Sequence, residues 1–241
     1  GAVTLSRYEN GALQDSAHDR QLQTAMTVDG LKKLIHLNPG SLDSSKRERL
    51  LAVLDSKRGL RSGLLACLED RLSEMAPCVL NGFRRFSAGR FTAVVAAFLE
   101  FGGVYKTKLN KLLFYADFLH FREYGVSITG CRYARLPFGP VPDDFKTLLG
   151  VLEEEAGVLR TEVEEFPGKD YKGEPVHLVS PPNDYDLTME EKETVHQVWQ
   201  LFQRYGAKEI ADLSHSFQGW IETDPSKLIS YEHADSIELP E

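Results

Sequence analysis

The chain has 241 residues, 42% of them hydrophobic, and a formal net charge of −8, enough to bury one good core or two small ones. Its apolar runs fall short of the roughly 20 residues that span a bilayer, and the N-terminus lacks the charged-then-apolar pattern of a secretory signal, so a soluble cytoplasmic protein is expected. Residues 1–103 carry 14 Lys+Arg against 11 Asp+Glu, whereas residues 104–241 carry 14 against 25. The second half therefore repels nucleic acid and suits a basic protein partner, solvated surface charge being the plain alternative. Cys67, Cys78 and Cys131 are far apart, which gives neither a disulfide framework nor a paired-thiolate metal site. Reduced, mostly buried thiols are expected, with no metal and no cofactor.

In chain order, residues 17–26, 29–37, 45–54 and 60–75 each place three or more apolar residues near helical spacing. They are separated by Asn38-Pro39-Gly40, by Lys57-Arg58-Gly59 and, at the end, by Ala76-Pro77. After Ser87, a candidate cap, residues 91–101 form an apolar helix stopped by Gly102-Gly103. Residues 106–124 keep Leu109, Leu112, Leu113, Ala116 and Leu119 at helical spacing, while Phe114, Tyr115, Phe118 and Phe121 widen the stripe almost all the way round, which predicts a buried helix. Gly125 stands where a left-handed cap belongs. Residues 126–135 then switch to β-type residues with a phase slip at Thr129-Gly130. Leu136-Pro137-Phe138-Gly139-Pro140-Val141-Pro142 is too rich in proline and glycine for a helix or a central strand and reads as a rigid, shaped loop; Asp143 and Asp144 suit the first turn of a following helix. Residues 158–166 and 175–179 alternate as two strands joined by Pro167-Gly168-Lys169-Asp170, and Thr188 with Glu191 makes a capping-box pattern opening a helix to Tyr205. The fold class is α+β: mostly helical, with a small antiparallel sheet and a helical N-terminal region before it.

Catalytic chemistry finds little support. His120, His177, His196, His215 and His233 could act as bases, and Ser214-His215 or Cys131 could supply a nucleophile. Adjacent residues on a helix, however, point about 100° apart and cannot form a catalytic hydrogen bond by themselves. No nucleophile elbow, P-loop, GxGxxG run or HExxH occurs. Asp117 and His120, three apart on one helix face, are expected to form a hydrogen-bonded pair that packs the central helix. The chain reads as a binding protein rather than an enzyme.

The run KLNKLL-aromatic-Tyr-A-D-F, then ITG-x-x-Y-x-R-x-P-x-GPVP and an acidic helix start, resembles the SocA-like antitoxin domain, also called Panacea, of bacterial and phage toxin–antitoxin systems. Ala207-Lys208-Glu209-Ile210, Leu213-Ser214-His215-Ser216 with Trp220, and Ile229-Ser230-Tyr231-Glu232-His233-Ala234 are similar to its closing segments. One departure is that the family often has glycine where Ser226-Lys227 stands. The resemblance covers residues 83–239 and implies an antitoxin that neutralises a cognate toxin by direct binding. Its motif residues, and on this reading the toxin-binding candidates, are Leu109, Lys111, Tyr115, Arg135, Phe138, Gly139, Pro140, Val141, Ser214, His215 and Trp220. Phe138 is either an exposed anchor on a stiffened loop or an architectural residue packed beneath the helix at 106–124.

At the N-terminus, Val3-Thr4-Leu5-Ser6-Arg7-Tyr8-Glu9-Asn10-Gly11-Ala12-Leu13-Gln14 resembles the recognition helix and following turn of Cro-type helix-turn-helix proteins, most closely MqsA-type antitoxins. Arg7 is the position at which that family contacts DNA, the alternative being an exposed arginine at a helix end. Residues 1–27 are thus expected to be the C-terminal remnant of a helix-turn-helix domain, residues 28–82 a helical connector and residues 83–241 the SocA-like domain. Operator DNA and autorepression would be reached only through a longer protein that completes the motif. The alternative is a transcription regulator whose Panacea-like part senses a ligand or forms a homodimer.

Overall fold

A computed structural model of the protein describes residues 28–38, 40, 42–55, 57–166, 172–182 and 185–240. The chain divides into two compact units between Gly63 and Leu64. In the first, helices α1 (Val28–Leu37) and α2 (Ser44–Asp55) bury Ile35 against Leu31, Leu50 and Leu51. The start of α2 is marked by the Asp43 carboxylate, which accepts the Lys46 N–H at 2.8 Å. Helix α3 spans Lys57–Ser73, so the Lys57-Arg58-Gly59 separator expected from the sequence forms the first turn of this helix rather than the gap before it. In the first turn of a helix the N–H groups have no intrahelical partner in any case, so a glycine there disrupts little. The segment expected at 17–26 and the helix-turn-helix-like string with Arg7 lie outside the described residues.

The second unit begins with the remainder of α3, whose Leu68 and Leu72 enter the main core. Helix α4 (Ala88–Glu100) is capped as expected, Ser87 Oγ accepting the Arg90 N–H at 3.3 Å. There follow strand β1 (Val104–Tyr105), helix α5 (Lys106–Tyr124), strands β2 (Tyr133–Leu136) and β3 (Gly139–Pro142), helix α6 (Phe145–Glu154) and strands β4 (Leu159–Thr161), β5 (Glu164–Glu165), β6 (Lys172–Gly173) and β7 (Pro175–Leu178). Helices α7 (Met189–Phe202), α8 (Ala207–Ser214) and α9 (Gln218–Glu222), strand β8 (Leu228–Ile229) and a 3-10 turn at Tyr231–Ser236 complete the unit. The class is α+β, with small antiparallel sheets in the orders β1-β7-β4, β3-β2-β8 and β5-β6.

Helix α5 is the centre of the packing, as its all-round apolar pattern predicts. Leu109, Leu112, Leu113, Phe114, Ala116 and Phe118 have no solvent exposure. Gly125 ends the helix at φ 72°, the left-handed cap. Around its second half Phe118 stacks on Tyr231 at 4.1 Å and meets Tyr133 and Phe217 edge-on at 5.6 and 5.4 Å; such offset and edge-to-face contacts add specificity to area burial.

Several local expectations need correction. The β-type run at 126–135 forms a strand only from Tyr133; residues 126–132 run irregularly, with Gly130 at φ 74°, because the N–H groups of residues 128–131 donate to side chains rather than to a neighbouring strand. Asp143 and Asp144 do not occupy the first turn of α6. Asp144 is its N-cap residue in the left-handed region at φ 58°, its carboxylate pairing with Arg71 at 2.8 Å, while Asp143 pairs with Arg132 at 2.7 Å. The expected strand at 158–166 is split into β4 and β5; β4 pairs with β7 and β5 with β6. The Pro167–Asp170 connection lies outside the described residues.

The capping box of α7 is present in both directions, with Glu191 N–H on Thr188 Oγ1 at 3.3 Å and Thr188 N–H on the Glu191 carboxylate at 2.9 Å, although the helix stops at Phe202 rather than Tyr205. The same carboxylate, 1% exposed, also accepts Arg84 at 2.7 Å and Arg90. Burial alone would push the Glu191 carboxyl up; the Thr188 N–H and the Arg84 and Arg90 guanidiniums outweigh it, so it titrates below its ordinary value. Glu191→Ala removes the cap and leaves two arginines without their anion. The expected loss is about 2 kcal/mol, below that of a wholly buried pair because both guanidinium side chains keep some solvent contact. Urea denaturation beside the wild type reads it.

Candidate functional site

Most residues singled out by the sequence converge on the hairpin made by β2 and β3. Leu136 pairs with Gly139, leaving Pro137 and Phe138 as a two-residue tip. The proline-rich run expected to be a loop is therefore mostly strand. Pro140 and Pro142 sit on β3, an edge of its sheet, where a missing N–H removes no ladder bond. Phe138 is 75% exposed, which settles its position in favour of the open tip.

The hairpin is held from two directions. From below, Lys111 of α5, itself fully buried, donates from Nζ to the Pro140 carbonyl at 2.7 Å. Burial pushes its ammonium pKa down to about 7. Gly139 makes this approach geometrically possible: it has φ 93°, and a Cβ there would lie 2.3 Å from Ser214 Oγ and 2.8 Å from Lys111 Nζ. Ser214 spends its own hydroxyl proton on the Ala211 carbonyl at 2.6 Å. From the side, Trp220 Nε1 donates to the Leu136 carbonyl at 2.9 Å. Its indole is packed by the His215 ring at 4.5 Å and by the Arg135 guanidinium at 4.8 Å, and Arg135 Nη1 donates to the Thr223 carbonyl at 2.8 Å. Among the described residues, His215 Nε2 is buried without a hydrogen-bond partner. Val141 is half-buried on β3.

Leu109 and Tyr115 do not join this surface. Both are core residues; Tyr115 stacks on Phe202 at 4.3 Å, and burial pushes its phenol well above the ordinary value. They can act on a partner only by supporting the fold. Ser226 adopts φ 64° in the turn between α9 and β8, a left-handed position that glycine occupies without steric cost, which accounts for the glycine expected there by resemblance.

Beneath the hairpin lies a polar centre that the sequence misassigned. Asp117 and His120 do not pair. The Asp117 carboxylate, with no solvent exposure, accepts the N–H groups of Ile128 and Thr129 at 2.9 and 2.8 Å, the Thr129 hydroxyl at 2.5 Å and the Tyr133 hydroxyl at 2.8 Å. His120 instead places Nδ1 2.9 Å from Thr194 Oγ1, and burial lowers its pKa against the opposing charge of Glu191. Burial pushes the Asp117 carboxyl up to about 6, short of where it would go without bonds from Thr129, Tyr133 and Ile128. The only signal in the sequence was the Thr129-Gly130 phase slip, which marks the loop but not its acceptor. Of the cysteines, Cys131 alone is fully buried; Cys67 is exposed, contrary to the expectation of mostly buried thiols, and Cys78 is intermediate.

Residues 109–221 match the family model described as Antitoxin SocA-like, Panacea domain. This span contains the hairpin, both of its clamps and the Asp117 centre. No curated protein and no solved structure matches the chain.

Substitutions at Gly139 and Asp117 test the geometry. Gly139→Ala forces a Cβ into Lys111 and Ser214 at an unfavourable φ and is expected to cost about 3 kcal/mol, read as a lowered urea midpoint. Asp117→Ala leaves two N–H groups and two hydroxyls without their acceptor and costs about 3 kcal/mol or more at pH 7; Asp117→Asn keeps an oxygen for the two N–H donors and costs less. Because the native carboxyl titrates above the ordinary 3.8, the native state binds the proton more tightly than the unfolded chain. Wild-type stability relative to Asp117→Asn should therefore rise as pH falls from about 6 to 4, and denaturation at both pH values measures it.

Proposed function

We propose that this chain is a non-enzymatic antitoxin that neutralises a cognate toxin by direct protein binding, with the tip of the β2–β3 hairpin as its principal anchor. The observation that carries this reading is the match of residues 109–221 to the SocA-like antitoxin model. The geometry supports it. A large aromatic at 75% exposure stands on a tip stiffened by Pro137 and Pro140 and clamped by Lys111 and Trp220, so little conformational freedom remains to be lost on association.

The test uses the product of the adjacent gene as the toxin. Phe138→Ala is expected to weaken binding by about 2 kcal/mol, roughly thirtyfold in Kd, as anchor truncations do, while the thermal midpoint stays within about a degree of the wild type. A wild-type chain that does not bind that product overturns the antitoxin reading. A large drop in midpoint with Phe138→Ala overturns the anchor.

A further inference from the structure

The second unit presents more than a single exposed ring at the hairpin. Trp220 Nε1 on the Leu136 carbonyl ties α9 to the base of the tip, and the Arg135–Thr223 bond at 2.8 Å ties the turn after α9 to the same strand. Three large hydrophobic residues, Leu136, Phe138 and Ile221, are thereby exposed on these tied segments, Ile221 at 54%. Thr223 sits between Glu222 and Asp224, both exposed. Across residues 212–227 the charged side chains are Asp212, Glu222, Asp224 and Lys227, three carboxylates to one ammonium. On the hairpin itself the single cation, Arg135, is engaged with Thr223 and the Trp220 ring.

We infer that Leu136, Phe138, Trp220 and Ile221, bordered by Glu222 and Asp224, form one docking face for a cationic protein, whose apolar socket receives the Phe138 ring and whose lysines or arginines meet the two carboxylates. The inference rests on the antitoxin reading and adds the chemistry of the partner. Charge selects among occupants. Residues 64–241 carry 18 Lys+Arg against 29 Asp+Glu, so a second copy of this unit and a nucleic acid are both disfavoured by like charge, while a basic surface is steered in. The apolar residues supply the lasting contact and the carboxylates the rate of encounter, because rim charges act mainly on association.

Binding kinetics with the adjacent gene's product separate the two contributions. The double variant Glu222→Lys/Asp224→Lys should slow association about tenfold at 50 mM salt and less than twofold at 500 mM, with dissociation unchanged, as screening at a Debye length of roughly 4 Å requires. Trp220→Phe, which keeps a ring against His215 but loses the bond to Leu136, should speed dissociation severalfold at either salt concentration. The unfolding midpoint of each variant verifies that the native state is retained. Association that is unchanged, or equally slowed at both salts, overturns the acidic rim; a Trp220→Phe variant indistinguishable from wild type overturns the continuous face. If the wild-type chain does not bind at all, the antitoxin reading fails and this inference falls with it, an outcome distinct from wild-type binding that the variants leave untouched.

Discussion

One buried carboxylate holds the site together. Asp117 stands on the central helix α5 and takes three donors from a segment without regular structure and a fourth from the first residue of β2. An irregular loop inside a protein is costly because its N–H groups have no ladder partners; here a side chain supplies the acceptor that a neighbouring strand would have provided. The loop then leads directly into β2 at Tyr133, whose hydroxyl closes the set. The direction in which β2 leaves the core, and with it the place of the hairpin, follows from this anchoring.

From that base the chain solves a second problem, which is to hold an apolar tip rigid in water. The usual means, burial, would remove Phe138 from any partner. The alternative visible here is to bond the backbone on either side of the tip and leave the ring outside: Lys111 takes the Pro140 carbonyl and Trp220 takes the Leu136 carbonyl. Burying a lysine away from any bonded carboxylate is expensive, and the depressed pKa of Lys111 reflects that cost. A hydrophobic side chain of similar length would pack without the penalty but could not donate to the carbonyl. Gly139 is the concession that admits both the ammonium and Ser214 beneath the strand.

The surroundings of the site are stiffened by polar contacts of the same kind. Glu191 gathers Arg84, Arg90 and the first turn of α7 around one carboxylate, and Tyr231 reaches from the 3-10 turn to the Cys131 carbonyl at 2.7 Å. The bonds to Arg84, Arg90 and Cys131 join segments far apart in sequence, so they contribute to the specific arrangement more than to any one element's stability.

Elements governed by neighbours along the chain were legible in the sequence. The buried helix at 106–124 with its Gly125 cap, the Ser87 cap, the capping box at Thr188 and Glu191, and the α+β class all rest on periodicity and local hydrogen bonding, which operate within a few residues. The sequence also singled out the 136–142 run as a rigid loop and, through its resemblance, Lys111, Gly139, Ser214, His215 and Trp220 as motif positions. It did not determine that the Pro-Gly run pairs as an edge strand or that Asp117 serves the 128–133 segment instead of His120. Each of those depends on partners brought together by folding: Arg135 and Leu136 for the strand, Thr129 and Tyr133 for the carboxylate. Tertiary structure alone decided which motif residues face solvent, because exposure depends on what packs above a side chain, and Leu109 and Phe138 carry equally apolar side chains in one motif yet end at opposite extremes.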